Sequence, residues 1–185
     1  MASVVESLSR PVALIHVDAH ADTAEDMSGE KLCHGTPFKR AFDDGLLIND
    51  KVFQIGLRGT ISHGEYQWGR DQGWTVIQAH ECYHKSLSPL MEEIRTKIGP
   101  DTPTYLTFDI DGIDPGFCPG TGTPEIGGLT PIQALEIIRG CRGLNIVGAD
   151  LVEVSPIYDT SNITAYTGAS LLFEILCILP KVTRK

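Results

Sequence analysis

The chain has 185 residues, 42% of them hydrophobic and 21% charged, which is enough for one domain with a sizeable buried core and ordinary for a soluble globular protein. Its formal net charge of −9 argues against nucleic acid or an anionic membrane as partner, and suits a cationic substrate or bound metal. The cysteines Cys33, Cys82, Cys118, Cys141 and Cys177 are widely spaced and form no Cys-x-x-Cys pair. That argues against a zinc knuckle or a disulfide framework and for reduced thiols in a cytosolic or organellar interior. No stretch approaches the length of a membrane span, and the start, Met1-Ala-Ser-Val-Val-Glu6, lacks the basic-then-apolar order of a secretory signal.

Short apolar runs alternate with helical patterns, which predicts an α/β fold with a mainly parallel sheet. Buried strands are expected at 12–17, 52–57, 75–78, 105–110 and 146–154. They read as continuous apolar runs, as strands do when helices cover both faces of a sheet. Between them, Ser88 is expected to cap a helix with Pro89 at its first position, Leu90, Met91, Ile94 and Ile98 as its apolar stripe, and Gly99 as its stop. Thr130-Pro-Ile-Gln133 is a capping box opening a helix that ends near Gly140. A last helix is expected over 165–179, ended by Pro180. No repeat, low-complexity segment or linker interrupts the pattern, so 1–185 reads as a single domain.

Asp18-Ala-His20-Ala-Asp22 follows the first apolar run, and Asp109-Ile-Asp111 follows the fourth. Ligands of open α/β sheets gather beyond the carboxyl ends of strands, and Glu153 lies there too if 146–154 is a strand. Crowded like charges repel, and a divalent metal is the natural counter-charge. Two metals fit the ligand count better than one, which points to hydrolysis by metal-activated water. Carboxylates in excess, with one imidazole and no sulfur, tilt the choice among Mn, Fe, Co and Zn towards manganese. An Asp-x-Asp pair alone occurs in many loops; the second motif, Asp-x-His-x-Asp, is what makes a metal centre the stronger reading. His16, His63, His80 and His84 are read as structural, and Gly120, Gly122, Gly127 and Gly128 as shaping a tight loop. No phosphate-binding or dinucleotide fingerprint is present.

Four segments stand in order: Asp18-Ala-His-Ala-Asp22, Phe108-Asp-Ile-Asp-Gly-Ile-Asp-Pro115, Pro119-Gly-Thr-Gly-Thr-Pro-Glu-Ile-Gly-Gly128 and Leu151-Val-Glu-Val-Ser-Pro156. Together they resemble the ureohydrolases, the arginase/agmatinase family of dinuclear manganese enzymes. The resemblance runs from about Val12 to the end. It implies a three-layer α-β-α fold of the arginase/deacetylase type with a mainly parallel sheet, here lacking the first strands. It implies two Mn2+ ions held by Asp18, His20, Asp22, Asp109 and Asp111, with Asp18 and Asp109 bridging them and Asp111 also counted in the catalytic centre. Glu153 would pair with a substrate guanidinium, and His34, in Cys33-His-Gly-Thr-Pro37, would shuttle a proton. Physical chemistry agrees with these roles. A carboxylate can take two parallel hydrogen bonds from a planar guanidinium, and an imidazole can protonate a departing amine near neutral pH. Without the resemblance, His34 reads as an ordinary surface histidine and Glu153 as a structural ion-pair partner.

The implied reaction is hydrolysis of a guanidino compound to an amine and urea. Glu30-Lys-Leu-Cys-His34 looks like agmatinases and guanidino-acid hydrolases, not arginases, and Pro124 to Gly128 point the same way. Agmatine, giving putrescine, is the first choice. A guanidino acid such as guanidinobutyrate is the alternative, because Lys31, Lys39 or Arg40 could meet its carboxylate. The family's Gly-Gly-Asp-His motif, which supplies a further metal ligand, has no match in 1–17. One manganese site is therefore expected to be impaired, the sheet to keep an open edge, and turnover by the chain as given to be poor. A non-catalytic family member acting as a binding partner is a second alternative; a single-zinc deacetylase-like amidohydrolase ranks low, since it lacks the Asp109–Pro115 and Glu153–Pro156 signatures. A homo-oligomer is expected if the chain folds, with a mitochondrial or cytoplasmic location.

Overall fold

The computed structural model describes residues 10–59 and 63–180, with only the backbone of His63. The start read above for a leader, Met1–Glu6, and the His63 side chain lie outside the described residues. Five strands form one sheet: β1 (Val12–Val17), β2 (Leu47–Leu57), β3 (Thr75–Gln78), β4 (Pro103–Asp109) and β5 (Asn145–Val152). Their order is β3-β2-β1-β4-β5, and every pairing is parallel. Helices α1 (Pro37–Asp43), α2 (His63–Asp71), α3 (Ser88–Ile98), α4 (Pro131–Gly140) and α5 (Ile163–Ile178) cover it.

Strand alternation sorts the core into two layers. Ala13, Ile15 and Val17 of β1 pack with Met91, Ile94 and Ile98 of α3, Ile137 and Ile138 of α4, and Leu171 and Ile175 of α5. Val12 and Leu14 point the other way, to Phe38 and Ala41 of α1 and Tyr66 of α2. The expected three-layer α-β-α arrangement is what the chain adopts. Both central strands, β1 and β4, are buried along their whole length, which is why they read as unbroken apolar runs. Complete burial of one Ile or Met of this core is worth about 1.5–3 kcal/mol.

The fourth and fifth strands and the last helix have bounds one or two residues from those expected, and two further details differ. Ser88 is not a side-chain cap but the first helical residue of α3. The donors at that end go to other groups: Ser88 N donates to Ser86 Oγ (3.2 Å) and Leu87 N to Glu136 Oε2 (2.6 Å) on α4. Strand β2 begins at Leu47, not at 52, because Leu47 is buried against Val12 while exposed Asn49 and Asp50 between them look like a turn. The Thr130/Gln133 capping box forms as read, and Gly99, at φ 80°, ends α3. All five cysteines are free thiols. Among the described residues no helix is long and apolar enough to cross a membrane.

Pairing of Val17 with Phe108 across β1 and β4 sets Asp18 beside Asp109, so the parallel register alone joins the two acidic motifs. Beyond them, Asp114 ties down the glycine-rich loop. Its carboxylate accepts from the backbone N–H groups of Gly116 (2.8 Å), Gly127 (2.7 Å) and Gly128 (3.0 Å). Gly128 has no alternative: a Cβ there would sit 2.5 Å from Asp114 N. Asp114→Ala is expected to cost about 2–3 kcal/mol, the range for losing hydrogen bonds to a charged group. Burial alone would raise the Asp114 carboxyl, but the N–H groups of Gly128, Gly116 and Gly127, with Arg58 nearby, hold it below the usual range. The stabilisation is therefore complete above the unfolded value of about 3.9 and lost as pH falls through the lower folded one. Urea melts of wild type and variant should converge in acid; a gap that stays constant below about pH 3 contradicts this account.

Candidate metal centre

Asp18 leaves β1 at its carboxyl end, and its Oδ1 accepts from His20 N (2.6 Å) while its Oδ2 lies 2.7 Å from His16 Nε2. The short turn after β4 is built by its own acids: Asp109 Oδ1 accepts from Asp111 N (2.9 Å), and Asp111 Oδ1 accepts from Ala19 N across the two strand ends (3.0 Å). Backbone amides thus aim the carboxylates inward and fix one oxygen of each. The side chains converge. Asp18, His20 and Asp111 each place a ligand atom within 4.8 Å of the others, and so do His16, Asp18 and Asp22. Asp109 belongs to neither close-set group but lines the same cavity of about 540 Å³, with His20, Asp22 and Asp111.

The charges do not balance from within. Burial, then the Asp18 and Asp111 charges, push the Asp109 carboxyl up to about 11. Burial and Asp18 likewise push Asp22 up to about 9, and burial raises Asp111. Burial opposes charging His20 as well, yet Asp111 and Asp18 lift it to about 10. Only Asp18 is held below the usual range; burial opposes this, but hydrogen bonds from His16 and His20 outweigh it. A cluster of this kind must bind protons or a cation.

Geometry favours the cation. Asp111 Oδ2 is buried with no hydrogen-bond donor directed at it, although His20 Nδ1 lies 3.0 Å away. A separation of 3.0 Å is also one that neighbouring ligands of a single ion show, with metal–ligand bonds of about 2.0–2.2 Å. The oxygen-rich, sulfur-free donor set fits a divalent cation.

The description "Arginase family" matches residues 1–177. The chain belongs to the arginase family. It is 60% identical over 175 residues to a guanidinobutyrase of Pseudomonas aeruginosa, covering 94% of this chain and 54% of that protein. It is 61% identical over 173 residues to a mitochondrial agmatinase of Gallus gallus, covering 93% of this chain and 51% of that one. Among solved structures, a proclavaminate amidino hydrolase from Streptomyces clavuligerus superposes with a TM-score of 0.85 at 37% identity, over 94% of this chain and 57% of that one. The chain thus spans about half the length of these arginase-family relatives.

The other residues singled out in the sequence are spread around the cavity. Glu153 lies just past β5, exposed, at φ 64°; Asp22 is also left-handed, at φ 53°. Such backbones cost of order 1 kcal/mol or more for residues other than glycine and gather at functional sites. His34 is exposed on the loop before α1 and lines the cavity with Glu153. The candidate carboxylate partners do not: Lys39 and Arg40 are tied to Glu25 and Asp43, and Lys31 lies 3.6 Å from Glu25.

Three supporting residues carry no motif that sequence reading could use. Arg58, half-buried, donates to the carbonyls of Asp111 (2.7 Å), Gly56 (3.1 Å) and Glu125 (2.7 Å), joining the acidic turn to the Pro124–Gly128 segment. His16 and Gln54 lie beneath Asp18. Only the polar identity of Gln54 inside an apolar run hinted at its role.

Divalent manganese at 100 times its dissociation constant is expected to stabilise the protein by about 2.7 kcal/mol, raising Tm by about 5–10 °C. Because burial and neighbouring charge keep Asp22 and Asp109 protonated at pH 7, metal uptake should release protons. Calorimetry in buffers of different ionisation enthalpy reads this directly. Uptake without proton release contradicts the protonated state of Asp22 and Asp109, and an unchanged Tm contradicts the cation reading.

Proposed function

We propose that the protein hydrolyses a linear guanidino compound to an amine and urea, using divalent manganese held by Asp18, His20, Asp22, Asp109 and Asp111. The observation that carries this reading is the convergence of Asp18, His20 and Asp111 ligand atoms around a buried carboxylate oxygen that lacks a directed donor. The chemistry two such ions would supply is Lewis acidity, enough to deprotonate water near neutral pH.

The chain's own residues do the rest. Glu153 accepts two parallel hydrogen bonds from the guanidinium and fixes its plane over the acidic cluster. His34, at the cavity rim, delivers the proton that lets the amine leave. Asp111, hydrogen-bonded to Ala19 N, keeps its second oxygen turned to the reacting centre. Agmatine is the first substrate, giving putrescine, because Glu65, Glu125 and Asp26 line the cavity and no Lys or Arg does among the described residues. A guanidino acid is the second reading, favoured by the 60% identity to a guanidinobutyrase.

The protein is further proposed to self-associate, in mitochondria or cytoplasm. Support for association is the outer face of α5, where Tyr166, Phe173 and Leu176 are 72%, 64% and 59% exposed. Apolar surface of this kind commonly marks an interface.

Urea release from agmatine, guanidinobutyrate and arginine by manganese-loaded protein tests the reading. Slow turnover of one of the first two is expected. Glu153→Gln should lower kcat/KM by about 100-fold, equivalent to roughly 3 kcal/mol of lost charged hydrogen bonding, while leaving metal content unchanged. A folded, metal-loaded protein silent on all three substrates would favour the non-catalytic alternative.

A further inference from the structure

Across the face of the sheet that carries α1 and α2, one row of polar side chains runs straight through four strands just below the acidic cluster. Parallel register pairs Gln54 of β2 with His16 of β1, His16 with Thr107 of β4, and Thr107 with Asp150 of β5. Gln54 and His16 are 0% and 1% exposed, in a layer otherwise made of Val, Leu and aromatic residues. Buried polar groups in such a place are costly unless each hydrogen bond is used.

The hydrogen bonds of Gln54 decide the state of His16. Gln54 Nε2 donates to Ala21 O at 2.8 Å and lies 3.1 Å from His16 Nδ1. An amide nitrogen has two protons and no lone pair to offer, so Nδ1 must be the acceptor. Turning the amide over does not help: it would set Gln54 Oε1 against Ala21 O, acceptor to acceptor. The ring proton is therefore on Nε2, which lies 2.7 Å from Asp18 Oδ2. The His16 ring packs against Phe38, with centroids 4.1 Å apart and the planes tilted by 43°. Gln54 Oε1 is buried without a partner, so the amide is oriented for its donors at the expense of its acceptor.

We propose that Gln54 and His16 are positioning residues that fix the orientation of Asp18 towards the metal through the chain Ala21 O, Gln54, His16, Asp18. His16 is not itself a ligand, although it sits close enough to Asp18 and Asp22 to look like one. Its Nε2 carries a proton and its Nδ1 faces away from the cluster. One oxygen of Asp18 is thereby committed to His16, leaving Oδ1 on the side of His20 Nδ1, 3.5 Å away. This rests on the metal reading of Asp18 given above.

Two readouts separate positioning from simple core packing. In metal-free, ¹⁵N-labelled protein, the long-range imidazole correlations of His16 should show a single tautomer protonated at Nε2. Gln54→Met, which keeps the volume and removes the donor, should give a mixture. The second readout is manganese affinity by calorimetry, on variants shown by thermal melting to be folded. His16→Leu should bind about 10–100-fold more weakly, the range for loss of a group that orients a metal ligand. His16→Gln, which keeps a donor near the Nε2 position, should recover most of that loss. Protonation of wild-type His16 at Nδ1, or a folded His16→Leu protein with wild-type affinity, overturns the proposal while the metal reading stands. A wild type that takes up no divalent ion overturns both.

Discussion

Asp18 and Asp109 are neighbours because β1 and β4 pair in parallel, and both are almost fully buried. Two carboxylates then share a volume that water barely enters, with Asp22 and Asp111 close by. At a separation of 4 Å and an effective dielectric of about 20, a pair of like charges costs on the order of 4 kcal/mol. No lysine or arginine side chain is salt-bridged to any of the four among the described residues. Protons can relieve the repulsion, and burial with neighbouring charge pushes the carboxyls of Asp22 and Asp109 up accordingly. A divalent cation relieves it better, because it carries two charges and can be held at once by ligand atoms that lie within 4.8 Å of one another.

Much of the surrounding structure serves to hold that arrangement. Asp109 and Asp111 each have one oxygen fixed by a backbone amide, and Asp18 is held by the His20 amide and by His16. Arg58 spends its guanidinium on carbonyls of the acidic turn and of the Pro124–Gly128 segment, which keeps the cavity wall in register with the cluster. Asp114 does the same from the opposite sense, with a carboxylate that gathers amides of the same loop. These contacts are made with backbone, so they constrain shape without adding further side-chain charge to the site.

The parts of this design that could be read from the sequence are those with a local signature. Strands β1 and β3 lie where their apolar runs lie, and the Thr130/Gln133 box forms because all its partners are within one turn. The meeting of Asp18, His20 and Asp22 with Asp109 and Asp111 was legible because two acidic motifs each follow a buried strand of one parallel sheet. What escaped depends on partners distant in sequence. Leu87 N is satisfied by Glu136 on another helix, so Ser88 had no capping role to play. Arg58 reaches carbonyls more than fifty positions away, and His16 acquires its task only once β2 brings Gln54 alongside. Asp114 was visible inside its motif, but nothing local marked it as the anchor of a loop that returns at Gly127 and Gly128.

The central claim is that the buried acidic cluster holds a divalent cation. Anomalous diffraction at the manganese edge, from crystals grown with the metal, tests it most directly. The account predicts a peak within bonding distance of Asp18 Oδ1, His20 Nδ1 and Asp111 Oδ2, with His16 outside the coordination sphere. A map with no peak at this cluster, at a manganese concentration that saturates other divalent sites, would contradict it.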